Sequence, residues 1–165
     1  IGLLVDCYEY VDNIFDETVY TSDDQEEEMP SSYLLTKRKL LLLLHNLSFA
    51  GDVAKAHFCA KTKSLDILID GIENSFDPQS ILLCATTLLS LSRRGARVLA
   101  SLRRGDRERR LRRCARVASD RRHVCESGPQ VLHGEEEEKR SALLSKAFKR
   151  LGEILNALRV EEDDG

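Results

Sequence analysis

The sequence predicts an all-α fold, arranged as a short right-handed stack of repeated helices (an α-solenoid fragment), and three observations carry the prediction. Leucine dominates the apolar residues while valine, isoleucine and the aromatics are few, so the side chains that favour strands are in short supply. Apolar residues recur three and four positions apart over most of the chain, the spacing of helices with one buried face. Sliding the chain on itself by 42 residues places Leu40 and Leu41 on Leu82 and Leu83, Leu47-Ser48 on Leu89-Ser90 and Ala54-Lys55 on Ala96-Arg97.

The elements follow in order. A first helix, Leu3 to Phe15, carries Leu4, Cys7, Tyr8, Val11, Ile14 and Phe15 on one face and belongs to an N-terminal unit of residues 1–20. Residues 21–30 are acidic and polar and form a loop. Ser31 and Ser32 can cap a helix running to about Phe49. Its block Leu40 to Leu44 is apolar all the way round, which predicts a buried central helix with Leu43 in the interior.

Gly51 ends that helix, and Asp52 can cap a short one, Val53 to Lys61, with Val53, Ala56 and Ala60 at helical spacing. Ser64 can cap the next, Leu65 to Glu73. Asp77-Pro78 is a start signal, because an aspartate accepts the free N–H groups of a first turn and proline tolerates the first helical position. The helix Pro78 to Arg93 follows, with Ile81, Leu82, Ala85, Leu88 and Leu89 inward, then Gly95 and a helix Ala96 to Arg104. Residues 31–104 thus form the repeated part, 105–130 an arginine-rich helix and loop, and 131–165 an amphipathic helix with an acidic tail. The last helix, Glu137 to Arg159, aligns Leu144, Ala147, Phe148, Leu151, Ile154, Leu155 and Leu158. Such a stripe covers the open end of a stack or receives a partner helix.

Composition bounds the function. With 165 residues, 42% hydrophobic and 32% charged, the chain can bury a core and is neither disordered nor fibrous. The longest apolar run, Leu40 to Leu44, falls far short of the roughly 20 residues a membrane-spanning helix needs, so no membrane insertion is expected. Ile1 opens the sequence without an initiating methionine, which reads as a segment of something longer. Five cysteines at scattered spacings fit a reducing, cytoplasmic setting and no disulfide framework. Cys114, His123, Cys125 and His133 lack the paired spacing of a structural zinc site, so neither a metal nor another cofactor is expected. For catalysis, His45, Ser48 and Asp52 radiate from one helix and its end and cannot assemble a nucleophile, base and orienting acid. No phosphate-binding or metalloprotease motif occurs, so no enzyme is expected.

The formal net charge of -3 conceals a polarity. Residues 1–30 hold ten acidic and no basic side chains, whereas Arg93 to Arg122 holds thirteen arginines against Asp106, Glu108 and Asp120. Within a predicted helix Asp106 to Ser119, Leu111, Cys114, Ala115 and Ala118 lie on one side and Arg109, Arg112, Arg113 and Arg116 around the other. Two readings stand. The arginines form a docking strip for acidic protein segments, tubulin-like tails or nucleic acid, since guanidinium forks pair carboxylates and phosphates with two parallel hydrogen bonds, or they form a solvated face partly neutralised by the chain's own acidic ends. Nucleic acid is disfavoured as a partner, because no aromatics are interleaved for base stacking.

Periods of about 40 to 47 residues occur in armadillo and HEAT arrays. The run from Leu41 to Leu91 resembles an armadillo repeat followed by the long helix of the next: Leu44, Asn46 and Leu47 as L-x-N-L, Gly51-Asp52 as the break, and Asp77-Pro78 before the next long helix. That resemblance implies a concave groove in which Asn46 hydrogen-bonds a peptide partner, as in an importin. The equivalent place in the next repeat is Leu88, so the asparagine ladder is not continued. A closer resemblance, on His45-Asn46, Phe49, Asp77-Pro78, Leu151, Leu155 and Leu158, is to the C-terminal end of the rotatin family (anastral spindle three in the fly). It implies a non-enzymatic scaffold of the cytoskeleton at the centrosome, centriole or ciliary basal body, with centriolar or ciliary scaffold proteins as partners.

Overall fold

In the computed structural model residues 1–19, 31–60, 62–75, 77–93, 95–116 and 134–163 are described, and every regular element among them is an α-helix. Helix α1 spans Gly2–Val19, α2 Ser31–Ser48, α3 Asp52–Ala60, α4 Thr62–Glu73, α5 Pro78–Ser92 and α6 Ala96–Arg103. Residues 107–116 form α7, and Glu135–Asp163 forms α8. No helix among the described residues is long and apolar enough to cross a membrane.

The breaks have local causes. Asp77 caps α5 by accepting from the backbone N–H groups of Gln79 and Ser80 at 3.3 and 3.1 Å, with Pro78 in the first helical position. Gly51, between α2 and α3, has a φ of 93°, a left-handed conformation that a side chain would strain. Ser64 is not the cap of α4: that helix starts at Thr62, and Ser64 is buried inside it.

Helix α5 is the centre of the packing. It lies against α2, α4, α6 and α8, while α1 packs on α2 and α4, and α3 packs on α6. Many polar contacts between neighbouring helices join residues separated by 37 to 42 positions, namely Arg38 to Asp77, His45 to Thr87, Lys55 to the Arg93 carbonyl, Asp66 to Arg107, and Asp70 and Glu73 to Arg110, while Lys63 and Glu9 across α4 and α1 are 54 apart. Across α5 and α8 the separation grows to 60 and 64, at Arg93–Glu153 and Thr86–Arg150, because the segment between α7 and α8 is longer.

One apolar core runs through α1 to α8, with Tyr8, Leu41, Leu44, Phe58, Leu68, Leu88, Leu102, Leu111, Leu151 and Ile154 among its members. Two inward assignments need correction. Leu41 and Leu44 are buried, but Leu42 and Leu43 are 48% and 49% exposed. Five consecutive leucines subtend the whole circumference of α2, whereas neighbouring helices cover only part of it. In α3 the buried residue is Phe58, and Val53, Ala56 and Ala60 face outward. One bulky aromatic decides which side of a nine-residue helix goes in, and two alanines do not.

Helices α4 and α5 meet closely at Gly71. A Cβ there would lie 2.6 Å from the Cys84 sulfur, and Cys84 has no exposed surface; burial pushes its thiol pKa up to about 12. Gly71→Ala is therefore expected to lower stability by about 1–3 kcal/mol through overpacking. In urea titrations the Gly71→Ala/Cys84→Ala pair should recover much of that loss. Strictly additive single-variant losses would show that the two helices do not meet there.

Candidate protein-interaction surface

The residues predicted to bind partners fall on two separate helices. Asn46 is exposed on α2; Arg109, Arg112, Arg113 and Arg116 are on α7. The four arginines are not equivalent. Arg113 pairs with Glu73 of α4, and Arg112 pairs with Glu108 one turn earlier in α7. Arg109 and Arg116 are exposed and form no hydrogen bond or ion pair with the described residues.

Among the described residues, the acids paired with this region belong to α4, apart from Glu108 of α7 itself. Arg107 forks onto Asp66 at 2.6 and 2.8 Å, and Arg110 bridges Asp70 and Glu73, the latter at 2.8 Å. Burial alone would raise the Glu73 pKa, but the hydrogen bonds from Arg110 and Arg113 outweigh it and hold the carboxyl below its ordinary range. Arg107 and Arg110, 12% and 16% exposed, fasten α7 to α4 with their forks engaged, whereas Arg113 is 61% exposed beside Glu73.

A second surface surrounds Asn46. Leu35, Leu42, Asn46 and Phe49 are spaced seven, four and three residues apart, so they share one face of α2 and the turn just beyond it. The three apolar members are 51%, 48% and 63% exposed. Phe49 leads into a pocket of about 360 Å³ between α3, α5 and α8, lined by Lys55, Thr86, Ser90, Arg93, Arg150 and Glu153.

Local contacts orient this rim. The Phe49 ring meets the His45 ring edge-on, with centroids 4.9 Å apart. His45 Nδ1 lies 3.1 Å from the Thr87 hydroxyl, whose own proton is donated to the Leu83 carbonyl at 2.7 Å. Nδ1 is therefore the donor, which fixes the neutral tautomer. Burial, then the charge of Arg150, lowers the His45 pKa, so the ring is neutral near pH 7. The Ser48 hydroxyl is buried and donates to the His45 carbonyl at 2.6 Å.

Among the described residues no group of three or more His, Cys, Asp or Glu side chains is placed to hold a metal. His123, Cys125 and His133, the acidic loop 21–30 and the side chains of Ile14 and Phe15 lie outside the described residues.

The chain matches no protein-family model, no curated protein and no solved structure.

The sequence reading singled out Asn46 but missed its apolar neighbours and the basic rim. The seven-residue spacing of Leu35, Leu42 and Phe49 was a usable signal, masked by the surrounding leucines. Lys55, Arg93 and Arg150 are scattered along the sequence and converge only through the packing of α3, α5 and α8.

Proposed function

We propose that this chain is a non-enzymatic protein-interaction segment, a short armadillo-like stack that holds partner proteins on the face formed by α2, α5 and α8. The observation that carries this reading is the row of exposed Leu35, Leu42 and Phe49 with Lys39 and Asn46 between them on one face of α2, since large apolar side chains grouped on one exposed face mark an interaction site. The stacking reading is supported by the order of packing, α2 on α5, α5 on α8 and α3 on α6, with most cross-links between α2 and α7 spanning 37 to 42 residues. Helix pairs that bury their leucines on the next pair build a quasi-linear array with a binding face along it. The resemblance to the rotatin family extends the proposal to a scaffold at centrioles or ciliary basal bodies.

Proximity labelling in ciliated cells tests it, comparing the unaltered chain with Leu42→Glu/Asn46→Ala/Phe49→Asp and with Arg109→Glu/Arg116→Glu. The α2 variant is expected to lose its centrosomal neighbours while circular dichroism stays native; the α7 variant is expected to keep them. An α2 variant that folds and keeps its neighbours overturns the proposal.

A further inference from the structure

The pocket at the end of the α2 stripe carries a charge pattern that the apolar face alone does not explain. Three cations, Lys55, Arg93 and Arg150, converge there from three helices, and among the described residues Glu153 is the one acidic side chain in the lining. Arg93 and Glu153 touch at 3.1 Å, but their side chains are 69% and 40% exposed, and such surface pairs exchange readily for a better partner. Arg150 donates to the Thr86 hydroxyl, which passes its own proton to the Leu82 carbonyl at 2.6 Å. That anchors one of the five guanidinium N–H groups and holds the rest at the pocket.

The stripe also restricts the form of the occupant. Leu35, Leu42 and Phe49 repeat every seven residues, about 10 Å apart along the axis, the spacing at which a second helix lies alongside the first. An extended segment would bring unpaired backbone N–H and C=O groups onto a face whose polar side chains are Asn46 and Lys39 among three apolar ones, whereas a helix satisfies its own.

We propose that α2 docks an amphipathic helix of a partner protein, with apolar residues at heptad spacing and an acidic end seated between Lys55, Arg93 and Arg150. This rests on the α2 face being the interaction surface and adds the partner's class and orientation.

The test uses the full chain and fluorescent 21-residue helical peptides with leucines at heptad spacing and three Glu, three Ser or three Lys at one end or the other, read by anisotropy. A Glu-ended peptide is expected to bind at least tenfold more tightly than its Ser-ended counterpart. Arg93→Ala/Arg150→Ala should remove that advantage, and Phe49→Ala should weaken every peptide. If Lys-ended peptides bind as well as Glu-ended ones, or the advantage survives loss of both arginines, the acidic assignment is wrong; Phe49-dependent binding of the Ser-ended peptide would still uphold the α2 face. Absence of binding by any peptide to the folded chain overturns both. A single-stranded oligonucleotide that binds more tightly than the peptides, in an Arg93- and Arg150-dependent way, overturns the proposal in favour of nucleic acid.

Discussion

Leu44→Asp should abolish folding, whereas the same change one residue earlier, Leu43→Asp, should leave the chain folded. Leu44 has no exposed surface and lies in the core where α2 meets its neighbours, while half of Leu43 is in water. An unpaired carboxylate in that core costs several kcal/mol, comparable with the roughly 5–15 kcal/mol by which a domain is stable at all. A polar substitution on an exposed position changes stability by about 0.5 kcal/mol or less. Far-UV circular dichroism and urea midpoints on the two variants check this directly. Unfolding of Leu43→Asp would mean that the outer side of α2 is covered, and a native midpoint for Leu44→Asp would mean that its inner side is not.

The second large effect is expected at Asp77. This buried carboxylate caps α5, receives the Arg38 guanidinium fork at 2.7 and 2.6 Å, and accepts the Ser80 hydroxyl at 2.6 Å. Losing a cap costs about 1 kcal/mol and losing charge-assisted hydrogen bonds about 1.5–3 kcal/mol, so Asp77→Ala should destabilise by about 2–4 kcal/mol. Asp77→Asn keeps a capping oxygen and should cost less.

The pH dependence has a definite sign. Burial pushes the Asp77 pKa up, but the hydrogen bonds from Arg38 and Ser80 prevail and hold it below the ordinary 3.8. Between the folded and unfolded values the unfolded chain binds more protons, so the stabilisation is complete above 3.8 and is lost as pH falls through the folded value. Chemical denaturation at a series of acidic pH values should show a shallower slope for Asp77→Asn below 3.8. An unchanged slope would remove Asp77 from the acid response.

Much of the helical outline was legible because its signals are local. Asp77-Pro78 marks the start of α5, Gly51 marks the end of α2, and the leucine stripe of α8 is buried at Ala147, Leu151, Ile154 and Leu158. What was not legible depends on neighbours distant in sequence. Nothing within Leu40 to Leu44 says which leucines will be covered, because that is decided by where α5 lies. The pairing of Arg107 and Arg110 with α4 follows from helix packing and not from the arginine run itself. The 42-residue shift did not reach α8, whose contacts with α5 span 60 and 64 residues.

That wider separation also shapes how the chain is made. Groups on α8 that close over α5 emerge 60 to 64 residues after their partners. At about 5–20 residues per second, the side of α5 that α8 covers stays open for roughly 3–13 s of synthesis. A newly made α5 can nestle at once against α2 and α4, but its remaining apolar flank must wait, and that interval is where holdase chaperones or mistaken pairing with another nascent copy would act. A premature stop before Glu135 would make the interval permanent, leaving a fragment whose first helices are assembled and whose central helix is still available to any passing apolar surface.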